Sequence, residues 1–174
     1  MDTDYSRPAF LASDTAGKIE TIRDLVFYEE KKRGVKFDYV LDLDLTSPMR
    51  TIEDLEKAFE IVSRDEKALN LFSVSPANRN PYFNMVELNE EGYYSLPKKN
   101  KDGNVLSRQA APPVYDMNAS FYWYKRTFFD KGINSAITDR SLIFCMEHLC
   151  FDMDHVIDFE FMEFLLENNK IDFM

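Results

Sequence analysis

Several residue types are scarce in this chain, and each scarcity excludes a class of protein. Two cysteines among 174 residues are too few for a disulfide-stapled scaffold, so we expect a reducing, cytoplasmic environment. There is no run of about 18 apolar residues, and the opening Met-Asp-Thr-Asp-Tyr is not a signal peptide, so we expect no membrane partner. Basic residues number 21 against 31 acidic ones, and the formal net charge of -10 argues against binding of nucleic acid.

The rest of the composition is that of one folded domain. The chain is 45% hydrophobic and 14% aromatic, and its length lets a single domain, residues 1–174, bury a proper core. Apolar periodicity predicts three helices and four strands. The first helix follows Asp14-Thr15 and ends at Gly34, the second begins at Thr51 with a capping-box pattern, and the third is an amphipathic helix over 156–168. The strands span 37–45, 71–75, 120–124 and 142–149. This order of elements is typical of a parallel α/β sheet.

Residues 81–126 break this pattern. They read as extended, with turn signals at Asn89-Glu-Glu-Gly92 and Lys101-Asp-Gly-Asn104. We interpret this stretch as an inserted antiparallel arm that leads into the aromatic strand at 120–124.

The segment 39–50 combines a strand with a candidate ligand-binding turn. On the strand, Asp42 and Asp44 alternate with leucines, so both carboxylates point to one face. Aspartates in a sheet that is buried on both faces are costly unless they are paired or bind a ligand. The pair either shares a metal ion or forms salt bridges with Arg50 or Arg7. The following Thr46-Ser47-Pro48 ends the strand at its carboxyl end, where open α/β sheets bind ligands.

A second carboxylate pair, Asp152 and Asp154, precedes the last predicted helix. On an extended backbone the two side chains point the same way, which suits a hard cation such as Mg²⁺ shared with phosphate oxygens. The alternative is that they cap the helix and favour its N-terminus electrostatically. Two cysteines and two histidines lie close by, but their spacing does not match the usual zinc patterns, so packing and surface roles are favoured. They are Cys145, His148, Cys150 and His155.

Short motifs occur in a fixed order along the chain from Arg7 onward. They are Arg7-Pro-Ala-Phe-Leu-Ala-Ser-Asp-Thr15, Leu43-Asp-Leu-Thr-Ser-Pro-Met-Arg50, Arg79-Asn-Pro81, Arg108-Gln109 with Pro113, Asn118-Ala-Ser-Phe-Tyr122 and Phe151-Asp-Met-Asp154. In this order the chain resembles the acylneuraminate cytidylyltransferases, which are the CMP-sialic acid synthetases and their relatives for other nine-carbon acidic sugars. The resemblance implies a Rossmann-like nucleotide-diphospho-sugar transferase fold, with three αβα layers, a mainly parallel sheet and the 81–126 arm used for dimerisation.

The resemblance also implies an activity and roles for individual residues. CMP would be transferred from CTP to a nine-carbon acidic sugar by a cytoplasmic homodimer, with Mg²⁺ present and pyrophosphate released. The matched positions make Asp152 and Asp154 the metal-binding, catalytic aspartates. Arg7, Ala16 and Lys18 match substrate-binding positions on the nucleotide side, Asp44, Asn118 and Tyr122 match the sugar pocket, and Thr46 and Ser47 form the ligand-facing turn.

Some features depart from the family's pattern. The Gly- and Arg-rich loop that holds the triphosphate is not found before Arg7, and the 5 glycines are too scattered to replace it. The resemblance therefore predicts a domain without its first βαβ unit, either as a shortened enzyme or as a catalytically inactive paralogue that acts as a dimer partner or binding subunit. Asp44 replaces a glutamine and Asp116 an arginine of the sialic acid enzymes, which favours a related sugar of the legionaminic or pseudaminic type.

Overall fold

In the residues that the computed structural model describes (3–13, 16–101, 103 and 105–173), the chain forms four α-helices and six strands. The helices are α1 (Lys18–Arg33), α2 (Ile52–Arg64), α3 (Arg126–Asp130) and α4 (Val156–Glu167). The strands are β1 (Tyr39–Leu43), β2 (Asn70–Pro76), β3 (Glu87–Leu88), β4 (Tyr94–Ser95), β5 (Tyr115–Lys125) and β6 (Ser141–Cys145). Single 3-10 turns occur at Ala9–Leu11 and Arg108–Ala110.

Local sequence signals fix the ends of α1 and α2. α1 ends at Gly34, whose φ of 68° is a left-handed conformation that glycine adopts without strain. At the start of α2, Asp54 N donates to Thr51 Oγ1 (3.1 Å) and Thr51 N donates to Asp54 Oδ2 (2.7 Å), which confirms the predicted capping box. The predicted start of α1, Asp14-Thr15, lies outside the described residues.

The main sheet has the strand order β1-β5-β2-β6. β5 pairs antiparallel with both β1 and β2, and β2 pairs parallel with β6. The expected mainly parallel sheet is therefore corrected to a mixed one. The physical reason is that β5 follows β1 and β2 in the chain but inserts between them, and the order of helices and strands along a sequence does not encode such an insertion.

Helices cover both faces of this sheet. α1 and α3 share one core cluster with the sheet, and α2 shares the other. The first cluster includes Ile19, Val26, Phe72, Tyr122, Tyr124 and Phe128, and the second includes Ala58, Val62, Leu71, Phe121 and Met146. On β1, Val40 packs against the first cluster and Leu41 against the second, which confirms the predicted alternation and puts Asp42 on the α1 face.

Residues 77–114 leave the main sheet between β2 and β5. Within them β3 and β4 pair as a small antiparallel hairpin. The predicted turn at 89–92 joins the two strands, and Asn89 Oδ1 accepts a hydrogen bond from Tyr93 N (2.8 Å). The predicted arm over 81–126 thus rejoins the main sheet at Tyr115. Its second predicted turn includes Asp102 and Asn104, which lie outside the described residues.

α4 occupies the predicted range, but its exposed surface is not the polar face of an amphipathic helix. Met162 and Leu165 are buried, whereas much of the remaining apolar surface is exposed. The exposed apolar residues of α4 are Val156, Ile157, Phe159, Phe161, Phe164 and Leu166. Across the described residues, no helix combines the length and apolarity needed to cross a bilayer.

Candidate functional site

The turn after β1 ties three parts of the chain together. Ser47 is fully buried, and its Oγ lies 2.6 Å from Asn118 O and 3.1 Å from Phe151 O. Met153 N donates to Thr46 O (2.8 Å). The turn therefore contacts β5 on one side and the loop that carries Asp152 on the other, so residues from three regions of the sequence meet at the carboxyl end of β1.

Asp42 on β1 and Asp44, the first residue after β1, share an ammonium group. Lys18 Nζ lies 3.0 Å from Asp42 Oδ2 and 2.9 Å from Asp44 Oδ2, and it sits 4.9 Å from the centroid of the Tyr122 ring. Asp42 and Tyr122 are direct partners across β1 and β5. The expected salt bridges with Arg50 or Arg7 are wrong, because Lys18 at the first turn of α1 reaches the pair instead. We call these four residues the Lys18 cluster.

The protonation properties of the Lys18 cluster follow from its burial and its charges. Burial acts to raise the pKa of the Asp44 carboxyl, but hydrogen bonds from Lys18 and Thr46 outweigh it and hold that pKa below its ordinary value. Burial acts to lower the pKa of Lys18, and its carboxylate partners reverse the effect, so the pKa is raised. Burial raises the pKa of the Tyr122 phenol, and the charge of Asp152 is among those that add to this rise. Asp152 therefore lies within electrostatic reach of the cluster.

Asn118 is held in place by its amide group. Its Oδ1 accepts hydrogen bonds from Ser73 Oγ (2.6 Å) and Ser120 N (3.3 Å), and its Nδ2 donates to Ser75 Oγ (3.0 Å). The next residue, Ala119, has a φ of 57°, a left-handed conformation that is rare outside glycine. The register of β5 against β2 shifts at this point. Asn118 thus sits at a kink in β5, next to the turn that carries Ser47.

Asp152 and Asp154 differ in their surroundings. Asp152 is half-buried, and its Oδ1 is fully buried without a hydrogen-bond partner in the described part of the chain. Asp154 is exposed. The cap of α4 is provided by Asp158, whose Oδ2 accepts hydrogen bonds from Asp154 N (3.1 Å) and His155 N (2.8 Å), so the alternative that Asp152 and Asp154 cap this helix is wrong.

The donor set fits Mg²⁺ better than a metal enclosed by protein ligands. Mg²⁺ keeps several waters and takes one or two carboxylates together with substrate phosphates. Among the described residues, no group of three or more His, Cys, Asp or Glu side chains converges as a metal site. A buried carboxylate oxygen without a partner, as in Asp152, is a group that a cation would satisfy.

For two of the sequence-predicted residues, Arg7 and Ala16, no contact with this convergence is seen among the described residues. Arg7 is exposed and makes no hydrogen bond or ion pair within the described residues. Ala16 donates its N–H to Ser13 O (3.0 Å). Of the other eight predicted residues, the structure brings together Lys18, Asp44, Thr46, Ser47, Asn118, Tyr122 and Asp152, whereas Asp154 is exposed two residues beyond Asp152.

The sequence analysis did not identify the groups that hold the site residues in place. Ser73 and Ser75 on β2 bind the amide of Asn118, and Arg50 binds backbone carbonyls. The serines had a usable signal, since a hydroxyl inside an otherwise apolar strand must find a buried partner. No sequence signal indicated the contact of Lys18 with Asp42 and Asp44, because it joins different elements of the chain.

Comparison with known proteins gives relatives across most of the chain. No protein-family model matches it. The chain is 38% identical over 167 residues to a Campylobacter coli protein named post-translational flagellin modification protein B, which covers 96% of this chain and 69% of that protein. Two proteins named CMP-N,N'-diacetyllegionaminic acid synthase also match. The one from Campylobacter jejuni is 36% identical over 93% of this chain and 67% of its own length, and the one from Legionella pneumophila is 31% identical over 95% and 69%.

Proposed function

The chain belongs to the acylneuraminate cytidylyltransferase family, the CMP-sialic acid synthetases and their relatives, and on that premise we propose that it transfers CMP from CTP to a nine-carbon acidic sugar of the legionaminic type. Pyrophosphate is the second product. The observation that carries the proposal is that the loop of Asp152, with its unpartnered buried Oδ1, is hydrogen-bonded through Phe151 O and Met153 N to the turn that follows Asp44 at the carboxyl end of β1. This is the part of an α/β sheet where ligands bind.

The sugar side of the reaction is assigned to the Lys18 cluster and Asn118. Two relatives are named for N,N'-diacetyllegionaminic acid, whose name specifies N-acetyl groups that present N–H donors. The carboxylates of Asp42 and Asp44 outnumber the single ammonium of Lys18, which leaves a net negative charge at this wall. Such a wall favours hydrogen-bond donors on the sugar over further anionic groups.

The metal side is assigned to Asp152 and Asp154. These carboxylates would hold Mg²⁺, which supplies charge neutralisation for the phosphates when it is bound. The chain's own part is to keep Asp152 in place, and the hydrogen bond from Met153 N to Thr46 O (2.8 Å) does so from the adjacent residue. Because Asp154 is exposed, it remains accessible to a ligand.

This reaction depends on positioning of the substrates more than on covalent catalysis. The anomeric hydroxyl oxygen of the sugar forms a bond to the α-phosphorus of CTP, the bond to the bridging oxygen breaks, and pyrophosphate and the hydroxyl proton are released. Reactions of this kind are accelerated mainly by aligning the two substrates and stabilising charge. Residues held by several contacts each, as Asn118 and Ser47 are, suit that task.

Pyrophosphate release with CTP, Mg²⁺ and a panel of nine-carbon sugar acids tests the proposal. We expect turnover with N,N'-diacetyllegionaminic acid, and a decrease in kcat of about 100-fold or more in Asp152→Asn, because the substitution removes the carboxylate charge. Asp139→Asn is the matched control, since Asp139 is exposed in the turn before β6, at the opposite edge of the sheet from the carboxyl end of β1; it should keep its rate. Equal rates in the two variants would contradict the assignment of Asp152.

Calorimetric titration with CTP separates the enzyme from the second candidate, a non-catalytic partner subunit. Heat of binding at millimolar CTP with Mg²⁺ is expected for a catalyst. The absence of CTP binding at that concentration would contradict catalysis by this chain alone and favour the non-catalytic partner subunit. The second candidate is kept because the 5 glycines are dispersed along the sequence and form no glycine-rich phosphate loop.

A further inference from the structure

Arg50 directs its guanidinium at backbone carbonyls. Its Nη1 lies within hydrogen-bond distance of Asp44 O (2.9 Å), Ser47 O (2.8 Å) and Ser120 O (2.9 Å), so at least one of its two N–H groups is shared, and it lies 3.4 Å from Ser120 Oγ. The first two carbonyls belong to the turn after β1, and the third belongs to the kinked part of β5. One nitrogen atom therefore bridges the two walls of the proposed sugar site.

A half-buried arginine is usually paired with a carboxylate, but the guanidinium of Arg50 binds backbone carbonyls. Arg50 is half-buried and forms no ion pair with a carboxylate among the described residues. Burial lowers its pKa, and the charges of Asp44 and Asp42 act in the opposite direction. A guanidinium keeps its charge in proteins, so the three carbonyl dipoles that converge on Nη1 are the groups that compensate it.

The carbonyl of Ser120 belongs to the strained part of β5. Ala119, with φ of 57°, lies between Asn118 and Ser120. An alanine keeps this conformation only where its surroundings enforce it. Asp44 N also donates to Ser120 O (3.2 Å), and Ser120 Oγ donates to Ser47 O (3.0 Å). Arg50 reinforces each of these cross-links, because it binds the same two carbonyls.

We propose that Arg50 is a positioning residue that fixes the Asp44 turn against the Asn118 kink and so sets the relative placement of the groups that face the sugar acid, without touching the substrate. The proposal rests on the proposed function for its kinetic consequence. Its structural content, that Arg50 holds the kink, stands on the contacts alone.

The kinetic test compares Arg50→Met and Arg50→Lys with Arg64→Met. Arg64 is an exposed residue of α2 whose side chain pairs with Glu60 on the surface, so it controls for the loss of one arginine. We expect Arg50→Met to raise KM for the sugar acid about tenfold or more, with a smaller change in KM for CTP, because it separates residues of the sugar wall. Arg50→Lys should reverse at least half of the increase in the logarithm of the sugar KM, since the lysine ammonium also offers several N–H donors from one nitrogen. An unchanged sugar KM in Arg50→Met, or no recovery in Arg50→Lys, overturns the proposal.

A second measurement does not depend on activity. Hydrogen exchange of the Asp44 and Ser120 amides should accelerate about tenfold in Arg50→Met and stay within about twofold in Arg64→Met, because exchange reports local opening. Adding Ala119→Gly to Arg50→Met should slow exchange again, since glycine adopts φ of 57° without strain. Should Arg50→Met fail to fold, the same measurement on Arg50→Lys applies, with exchange expected near that of the unmodified chain.

The two tests separate this proposal from the proposed function. If the unmodified chain shows no turnover with any sugar acid, the function fails, and the exchange experiment still decides the role of Arg50. Unchanged exchange in Arg50→Met, or a double variant that exchanges as fast as Arg50→Met alone, overturns the role of Arg50 whatever the activity.

Discussion

At the scale of single residues, the carboxylate of Asp54 joins a helix cap to a distant loop. Its Oδ2 accepts hydrogen bonds from Thr51 N (2.7 Å) and Thr51 Oγ1 (2.7 Å), and His148 Nε2 lies 2.9 Å away. The other ring nitrogen of His148 faces Leu149 O at 3.0 Å. Both ring nitrogens therefore face oxygen atoms of neighbouring residues. This contact anchors the segment that leads to Asp152.

The stability contributed by Asp54 depends on pH in a definite direction. Burial acts to raise its pKa, but hydrogen bonds from His148 and Thr51 outweigh it and hold the pKa below its ordinary value of 3.8. A lowered folded-state pKa means that the stabilisation is present above the unfolded-state pKa and is lost as pH falls through the folded-state pKa. We expect Asp54→Asn to lose about 1–3 kcal/mol of unfolding free energy at pH 7, and the gap to shrink below about pH 4.

Urea unfolding of both proteins at several pH values measures this gap. Glu53→Gln is the control, because Glu53 lies in the same first turn of α2 but its side chain is 73% exposed. It should differ from the unmodified chain by no more than about 0.5 kcal/mol at each pH. A gap for Asp54→Asn that stays constant down to pH 3 would show that the carboxylate charge is not what stabilises the fold.

How far the sequence predicts such contacts depends on their range. The Thr51 and Asp54 capping box was predictable, since both partners lie within one helical turn. The contact of His148 with Asp54 was not, because the two residues are 94 positions apart. The same limit applies to the candidate site. The acidic pair of β1 and the ligand-facing turn were visible in the sequence, but Lys18 as the partner of that pair was not.

At the scale of elements, a buried ion pair joins α1 to α3, which packs on the same face of the sheet. Arg126, the first residue of α3, contacts Glu30 of α1 through two hydrogen bonds of 2.6 and 3.0 Å. The two side chains are 12% and 9% exposed. The pKa of Glu30 is held below its ordinary value, chiefly by the hydrogen bond from Arg126. Arg126 also stacks over the Phe27 ring at 4.7 Å from its centroid.

Removing one partner of this pair should be costly. We expect Arg126→Met to lower the free energy of unfolding by about 3 kcal/mol, because it leaves a buried carboxylate without its cation. Arg64→Met, which breaks a surface pair with side chains 79% and 61% exposed, should lose about 0.5 kcal/mol or less. Equal losses in the two variants, measured by chemical denaturation, would mean that the Glu30 pair does not hold α1.

The elements themselves were largely predictable, and their arrangement was not. α1, α2, α4, β1 and β2 fall within or close to their predicted ranges, because periodicity and end signals are local properties of the chain. The position of β5 in the sheet depends on pairing between residues such as Asp42 and Tyr122, which no local pattern specifies. α3 was not predicted, since its five residues are too few to show a helical period.

At the scale of the whole molecule, an acidic chain carries sizeable apolar areas on its surface. The hairpin of β3 and β4 exposes Leu88 by 62% and Tyr94 by 71%, and these two residues pair across the hairpin. Contiguous exposed apolar residues of this kind mark interaction sites. We expect the hairpin to contact a second copy of the chain, in line with the dimerisation arm predicted from the sequence.

The oligomeric state tests this assignment. Light scattering should give the mass of a dimer for the unmodified chain at micromolar concentration and that of a monomer for Leu88→Asp, since burying a charge at an apolar contact is costly. Glu90→Lys, a change at an exposed turn residue of the same hairpin, should remain dimeric. A monomeric unmodified chain, or a dimeric Leu88→Asp, would contradict the role of the hairpin.

The insertion of β5 between β1 and β2 also sets the order in which the molecule is built during synthesis. The ribosome delivers β1 and β2 early, but neither strand reaches its neighbour in the sheet until Tyr115–Lys125 has emerged. The pairing of β1 and β2 with β5 is late and slow, because the long stretch of chain between these strands must first form a closed loop. Tyr122 and Asn118 arrive on that strand and Asp152 follows later still, so the candidate site can form only after β5 has filled the gap between β1 and β2.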